Sequence, residues 1–462
     1  MENNNQNIHY LITQYEKMKS SNSYQLFEEE DIESMIEFYE SQENFVKALD
    51  LIDFALEQYP YATDFMARKI EYMIENNNLV EAKELLDRAM VFDPLASNLH
   101  LLYSDILCLE GKFTEALLLL ESLLDRSELI DKPDIYLEMA DVYEEMEKTI
   151  KAAECIKKAL YIDPHNEEAL DRMWFYVEFV GNYDESIAFH NKLINKAPYS
   201  YIAWYNLACA YLGKEMWDEA LDAFEYVLAI NPNYEYAYSD AANILVKYNQ
   251  AEKAIEYYEK AIEVGKPSED LYYQLGLAYE YLNEYGKARI NYRKALRLDH
   301  TFHEAYHRIG ITYMTQKNYT KAISAFQYAI KNNPENINYI WELAQAHHFD
   351  NNPNTSLELS LKTIQENPDN NQAWIMAAHS AYELGDNKLA IEILNLGLQH
   401  APNAVELLVA KGAILYISGM HQEGTNFLYN VVLNHSNAKT LLTENWSKLS
   451  IHTDLWNLLF DH

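Results

Sequence analysis

The sequence predicts an all-α protein built as a solenoid of stacked helical hairpins. One observation is a small residue, never larger than serine, that recurs every 34 positions with a single slip of two residues. A fixed period of this length is typical of repeat arrays. The twelve occurrences are Ala48, Ala82, Ala116, Ala152, Ser186, Ala220, Ala254, Ala288, Ala322, Ser356, Ala390 and Gly424.

Composition and proline placement support the same class. Apolar residues make up 49% of the 462-residue chain, which holds only 12 glycines and 11 prolines, and this balance favours helices over turns. Eight of the twelve periods carry a proline at the same late position, as at Pro94, Pro164, Pro232 and Pro334. Since proline cannot continue a helix, each of these prolines predicts the end of one.

Each period is predicted to form two helices joined by a short turn, and the chain divides around the array. Residues 1–28 are expected to form an N-terminal helix and cap, residues 29–436 the array, and residues 437–462 C-terminal capping helices. The twelve periods begin at Glu29, Thr63, Ser97, Pro133, Glu167, Tyr201, Glu235, Glu269, His303, Ile337, Asn371 and Val405.

Two places depart from the regular pattern. The slip of two residues falls near Ser127–Pro133 and predicts a longer turn between the third and fourth periods. Trp174 occupies a position where most periods have Gly, Ala or Ser. Because small residues let helices approach closely, we expect this bulky ring to push its two helices apart.

The residues at fixed places in each period resemble the tetratricopeptide repeat family. The period from Tyr201 carries the family's sequence pattern at Trp204, Leu207, Ala208, Tyr211, Ala220, Phe224 and Pro232. The period from His303 carries it at Tyr306, Gly310, Tyr313, Ala322, Phe326, Ala329 and Pro334. The chain is similar to multi-repeat bacterial scaffolds of this family. The resemblance implies a right-handed superhelix with a concave groove, lined by the first helices, that receives an extended or helical peptide.

The charge is strongly acidic and unevenly spread. The chain has 72 acidic and 36 basic residues, a net charge of −36, and residues 1–200 hold 41 of the acids and 17 of the bases. Binding to nucleic acid needs Lys and Arg to displace counterions, so nucleic acid and anionic membranes are disfavoured as partners. A basic protein segment would be attracted, although an acidic surface also serves solubility alone.

Cysteines and the start of the chain indicate the cytoplasm. The three cysteines are Cys108, Cys155 and Cys209, far apart and without a CxxC motif, as expected for buried thiols in a reducing compartment. The first residues lack the basic and apolar regions of a signal peptide. No run of 18 apolar residues predicts membrane insertion.

The sequence carries no motif that predicts catalysis. It has no GxGxxG, P-loop, HExxH or GxSxG pattern, so we expect no enzyme activity and no cofactor. His348 and His379 are predicted on adjacent first helices, with Glu342 less than two turns before His348, and two histidines with a carboxylate can ligate zinc. Polar side chains on a solvated groove wall explain the same residues, and we expect no metal site.

The resemblance places two kinds of residue in the expected groove. Its N-terminal part is acidic and includes Glu138, Asp141, Glu144 and Asp171. Further on, aromatic and amide residues dominate, with Asn206 and Asn243 expected to hold a peptide main chain. These residues are Tyr205, Asn206, Tyr236, Asp240, Asn243, Tyr273, Gln274, Tyr281, Arg308, Trp341, Gln345 and Tyr382.

We therefore expect a non-enzymatic scaffold that binds a basic or extended protein segment in the groove. Two alternatives stay open. One is a regulatory protein that senses a peptide. The other is a structural assembly subunit that acts through its convex face or its terminal helices, where a homodimer contact would form.

Overall fold

A computed structural model describes residues 2–21, 24–126 and 132–460, with the side chains of residues 2–7, 177–180 and 448 left aside. Within these ranges all regular secondary structure is helical. The slip near Ser127–Pro133 lies mostly outside the described residues. None of the described helices is long and apolar enough to cross a membrane. The chain divides into two compact units, Met1–Pro232 and Asn233–His462, which are described separately.

The N-terminal unit consists of one leading helix and six helical hairpins. Its helices are α1 (Glu2–Ser21), α2 (Glu29–Ser41), α3 (Phe45–Gln58), α4 (Thr63–Glu75), α5 (Leu79–Phe92), α6 (Ser97–Leu109), α7 (Phe113–Leu124), α8 (Lys132–Glu145), α9 (Thr149–Ile162), α10 (Glu167–Val180), α11 (Tyr183–Lys196), α12 (Tyr201–Gly213) and α13 (Trp217–Ile230).

The C-terminal unit consists of six further hairpins and a terminal segment. Its helices are α14 (Glu235–Lys247), α15 (Ala251–Val264), α16 (Glu269–Tyr281), α17 (Tyr285–Leu298), α18 (His303–Thr315), α19 (Tyr319–Asn332), α20 (Ile337–Phe349), α21 (Pro353–Glu366), α22 (Asn371–Glu383), α23 (Asn387–His400), α24 (Val405–Ile417), α25 (His421–Asn434), α26 (Ala438–Asn445), a 3₁₀ helix (Ser447–Ile451) and α27 (Thr453–Phe460).

Local sequence sets where the helices begin and end. The first helix of each hairpin begins at the first residue of its period, except in the fourth, where it begins one residue earlier at Lys132. The fifteenth residue of every hairpin lies in the turn and has a positive φ. Glycine or asparagine, which tolerate this conformation best, occupies eight of these twelve turns. They are Asn77, Gly111, Gly181, Asn249, Asn283, Asn351, Gly385 and Gly419.

The small residue of each period packs where the two helices of a hairpin meet, and all twelve are buried. The helices approach so closely that little space is left for a further carbon. A Cβ added to Gly276 would lie 2.4 Å from the Tyr292 ring, and one added to Gly310 would lie 2.4 Å from the Phe326 ring. Small residues on the first helix and aromatic residues on the second therefore fill one layer together.

The fifth hairpin carries Trp174 on its first helix, α10. The Trp174 ring is 38% exposed. Helix α10 packs against α9 and α12, and α11 packs against α12. At the place on α11 where the sixth to ninth hairpins have a large ring, the smaller His190 is fully buried, and burial lowers its pKa to about 4.

Helices at both ends cover apolar surface. On α1, Ile12, Tyr15 and Met18 join the core of the first hairpin. At the other end, α26 and α27 contribute Leu442 and Leu455 to one apolar cluster, which also contains residues of the twelfth hairpin: Val409, Ala413, Leu428 and Val431. Each end thereby covers an apolar face that would otherwise meet water.

A larger residue at Ala288 is expected to destabilise the eighth hairpin. Ala288 is fully buried in the cluster that contains Tyr292 and Ile309, so Ala288→Leu should overpack it and cost about 1–3 kcal/mol. Thermal melting and hydrogen exchange of α16 and α17 measure the loss. Ile290→Leu is the matched control, since Ile290 is 54% exposed. Equal melting of Ala288→Leu and the parent would contradict the packing described.

Candidate functional site

The residues expected to line a groove recur at fixed positions on the first helices, and we call this surface the first-helix face. With each hairpin numbered from the first residue of its period, position 6 meets positions 9 and 12 of the hairpin before it. Three arginines at position 6, namely Arg68, Arg172 and Arg308, each form an ion pair with an acid at position 12 of the preceding hairpin. We call this pairing of position 6 with positions 9 and 12 of the preceding hairpin the register of the first-helix face.

Arg172 forms ion pairs with two of the acids that are expected to attract a partner. Its Nη2 lies 2.6 Å from Asp141 Oδ1 and 2.9 Å from Glu144 Oε1, and the Tyr176 hydroxyl donates to the same Glu144 oxygen. Burial raises the pKa of Asp141 to about 6, although Arg172 acts in the opposite direction. Asp141 and Glu144 therefore already share one cation from within the chain, while both side chains stay about half exposed.

Asp105 and Glu138 form a carboxyl pair. At the same two positions of other hairpins, an arginine faces an acid. Glu138 is at position 6 of the fourth hairpin and Asp105 at position 9 of the third, and their side chains share a hydrogen bond. Burial, followed by the charge of Asp105, raises the pKa of Glu138 to about 9. Burial also raises the pKa of Asp105. The pair therefore holds a proton at neutral pH, and no described residue forms an ion pair with it.

Three other residues predicted to line the groove lie in the N-terminal unit. One of them is exposed and two are buried. Asp171 is exposed on α10, and burial together with Glu167 raises its pKa. Asn206 has no exposed surface, and its Nδ2 donates to the Leu170 carbonyl at 2.8 Å. Tyr205 is also buried, with its ring 5.7 Å from Phe224.

Tyr205 and Asn206 are therefore not exposed to a peptide ligand in this structure. Helix α10 packs directly against α12 and covers this part of the first-helix face. The amide of Asn206 holds the backbone of the neighbouring hairpin instead of a ligand. The asparagine satisfies a buried carbonyl, which is the usual role of a buried polar side chain.

Four of the predicted residues lie together in the C-terminal unit. Tyr236, Asp240 and Asn243 on α14 and Gln274 on α16 line one groove of about 410 Å³. The Tyr258 hydroxyl donates to Asn243 Oδ1 at 2.6 Å and so fixes the orientation of that amide. The remaining lining residues are Glu235, Ser239, Tyr258, Lys266, Ser268, Asp270 and Leu271. Polar groups held in place beside aromatic rings are suited to hydrogen bonds with a peptide backbone.

Two predicted tyrosines lie outside this groove and have different environments. Tyr273 is half-buried, with its ring 5.7 Å from that of Tyr292 and 5.1 Å from that of Phe302. Tyr281 is 54% exposed, and its hydroxyl donates to Asn249 Oδ1 at 2.6 Å. Tyr273 is therefore mainly a packing residue, whereas the ring of Tyr281 is accessible.

Arg308, which is predicted to line the groove, forms its ion pair within the chain. Its guanidinium binds Glu280 through both Nε and Nη2. The Tyr292 hydroxyl donates to Glu280 Oε2 at 2.7 Å. Only 11% of the Glu280 side chain is exposed, so the arginine compensates a nearly buried charge.

The last three predicted residues are half-buried on successive first helices. Trp341 packs against the apolar cluster of the eleventh hairpin. Gln345 lies one turn further along α20. The Tyr382 hydroxyl lies 3.5 Å from the Ile417 carbonyl oxygen, at the limit of a hydrogen bond. Each contributes part of its surface to the first-helix face.

The two histidines considered as metal ligands lie close together, but the carboxylate beside them is that of Glu383 and not that of Glu342. His348 on α20 and His379 on α22 have ring centroids 5.1 Å apart. Among the described residues, His348, His379 and Glu383 present ligand atoms that all lie within 4.8 Å of one another. The expected third residue, Glu342, is not part of this group, whereas Glu383 lies one turn after His379.

Parts of the chain match the tetratricopeptide repeat family. The matched residues are 133–166, 201–234, 236–264, 269–302 and 303–336, which fall on the fourth, sixth, seventh, eighth and ninth hairpins.

Individual proteins are similar to parts of this chain at low sequence identity. Anaphase-promoting complex subunit 3 of Schizosaccharomyces pombe is 25% identical over 136 residues, which cover 29% of this chain and only 20% of that protein. The crystal structure of YrrB, described as a TPR protein with an unusual peptide-binding site, is 22% identical, with a TM-score of 0.37, and covers 42% of this chain and 97% of its own. The C-terminal part of a TPR repeat-containing protein from Cytophaga hutchinsonii is 17% identical, with a TM-score of 0.47, and covers 52% of this chain and 98% of its own.

Proposed function

We propose that this chain, a multi-repeat protein of the tetratricopeptide type, is a non-enzymatic scaffold that binds an extended basic segment of another protein. The broader statement, an interaction scaffold, follows from the repeats. The finer proposal assigns the basic segment to the first-helix face of the N-terminal unit, with one arginine or lysine bound at Asp105 and Glu138.

The observation that carries the proposal is the register of ion pairs. Where position 6 is an arginine, as at Arg68 and Arg172, it compensates the acids of the preceding hairpin. At Glu138 the same register brings two carboxyl groups together and leaves them one proton to share. A guanidinium or ammonium group from a ligand would supply the missing charge, and charge-assisted hydrogen bonds of this kind are among the strongest that proteins form.

The charge of the whole chain supports a basic partner. A net charge of −36 attracts cationic segments and repels nucleic acid and anionic lipid surfaces. In the C-terminal unit, the groove at Tyr236, Asn243 and Gln274 supports a second contact with uncharged peptide. Its tyrosines and amides are residue types suited to backbone recognition and hot spots.

The proposal predicts that peptides selected by this protein are rich in arginine or lysine. A random dodecapeptide library displayed on phage is selected against the full chain, and the enriched peptides are labelled for fluorescence anisotropy. Changing Asp105→Asn together with Glu138→Gln is expected to weaken binding about 10- to 100-fold, because it removes charge-assisted hydrogen bonds. Selected peptides without basic residues would contradict the proposal.

A matched variant separates a specific site from general attraction. Glu121→Gln removes one negative charge, as the double variant does because its pair already shares a proton, but at an exposed position of the second helix, α7. Equal losses in this variant and in the double variant would mean that the peptide responds only to overall charge, and the site would be rejected. Binding at the pair should also release a proton near pH 7, which calorimetry in buffers of different ionisation enthalpy measures.

A further inference from the structure

We propose that His348, His379 and Glu383 form a binding site for a divalent transition-metal ion, with zinc as the reference ion. The three residues lie on α20 and α22, the first helices of neighbouring hairpins in the C-terminal unit. This site is independent of the peptide-binding proposal.

The geometry is close to that of a three-ligand zinc site. Glu383 Oε1 lies 3.5 Å from His379 Nδ1, and Glu383 Oε2 lies 4.0 Å from His348 Nδ1. With bond lengths of about 2.0–2.1 Å, donor atoms around a tetrahedral zinc stand about 3.3 Å apart. Small rotations of exposed or half-buried side chains close that difference. His379 and Glu383 are four residues apart and therefore share one face of α22.

His348 contributes to the site a ring nitrogen without a hydrogen-bond partner among the described residues. This Nδ1 atom is shielded from water, and leaving such an atom unsatisfied is costly. A metal ion would accept the lone pair of this nitrogen and neutralise the carboxylate beside it.

Aromatic rings around the site would shield a bound ion on one side, while exposed ligand side chains would let it enter from solvent. The His348 ring is 5.4 Å from the ring of Phe349, and the His379 ring is 6.0 Å from that of Trp446. These rings reduce the local polarity and so strengthen electrostatic binding. The side chains of His379 and Glu383 are still 33% and 36% exposed, so an ion can enter from solvent. Three protein ligands leave at least one coordination position open for water or a partner's side chain.

Zinc titration of the untagged full chain tests this site. The protein is freed of metal with a chelator, and binding of zinc chloride is measured by calorimetry and by the shift in melting temperature. We expect one tight equivalent per chain and a rise in melting temperature, because a ligand of the folded state stabilises it. Cobalt should bind with visible bands typical of four- or five-coordinate ions.

Variants of the ligands decide whether the ion binds here. His348→Ala, His379→Ala and Glu383→Gln should each weaken zinc binding at least about tenfold, since even changes in residues behind metal ligands have effects of this size. His347→Ala, one residue away on the same helix, should bind zinc as the parent does. Glu383→Gln preserves size and tests the site even if a histidine variant folds poorly. Absence of tight binding in the parent, or unchanged affinity in Glu383→Gln and the histidine variants, would overturn the proposal.

Discussion

Glu138→Gln is expected to stabilise the third and fourth hairpins by about 1–3 kcal/mol at pH 8. In the folded protein the buried Glu138 carboxyl faces Asp105 and resists ionisation, whereas in the unfolded chain it ionises freely. Glutamine has nearly the same shape, carries no charge and can donate a hydrogen bond to Asp105. The substitution thus removes the electrostatic cost of the pair and keeps its hydrogen bond.

The sign of the pH dependence follows from the direction of the pKa shift. The pKa of Glu138 rises on folding from its usual 4.5 to about 9. Between these values the folded state holds a proton that the unfolded state has released, so the stability of the parent falls as pH increases. The advantage of Glu138→Gln should therefore be absent near pH 4, grow through neutral pH and level off above about pH 9.

Hydrogen exchange of α6 and α8 is the appropriate measurement, because long repeat arrays do not unfold in one two-state step. Glu121→Gln on the exposed face of α7 is the control and should change protection little. A destabilised Glu138→Gln protein, or an advantage that grows towards acid, would contradict the pairing. The same variant should bind basic peptides more weakly, which is the usual trade between stability and function at a charged site.

The fold could be predicted from the sequence because its determinants are local and periodic. A small residue every 34 positions and a proline after most second helices are enough to place the hairpins, since both act through close packing and backbone sterics. The sequence pattern did not predict that α10 packs against α12 and that Tyr205 and Asn206 are buried, because that result depends on contacts between hairpins.

The candidate site was predicted less well, because charges on this face interact across hairpins. Counting residues within one period lists acids but does not say which of them are already paired. The missing signal was a spacing of 28 residues, which brings Arg172 opposite Glu144 and Arg308 opposite Glu280. Position 9 meets position 6 at a spacing of 31 residues, as in Asp141 and Arg172. The slip of two residues before the fourth period lengthens it to 33 for Asp105 and Glu138, so counting within the regular period misses their approach. In the same way, only the structure selects Glu383 as the neighbour of His348 and His379.

Arg308→Met is expected to destabilise the eighth and ninth hairpins by about 2–4 kcal/mol. The substitution leaves the Glu280 carboxylate, with an 11% exposed side chain, without its cation, and removing one member of a buried ion pair has an effect of this size. The Tyr292 hydroxyl still donates to Glu280 but cannot balance its charge. Arg297→Met, at an exposed position of α17, removes the same charge and should be nearly neutral.

A second substitution distinguishes this structural role from ligand binding. In Arg308→Met with Glu280→Gln, the buried charge is gone while the Tyr292 hydroxyl keeps an acceptor, so most of the lost stability should return. Melting and hydrogen exchange of α16 to α19 measure both steps. If Arg308 instead served a partner, the single variant would lose affinity at unchanged stability, and the second substitution would restore nothing. Recovery in the double variant would assign Arg308 to the internal charge balance of the array, in the same class as Arg172.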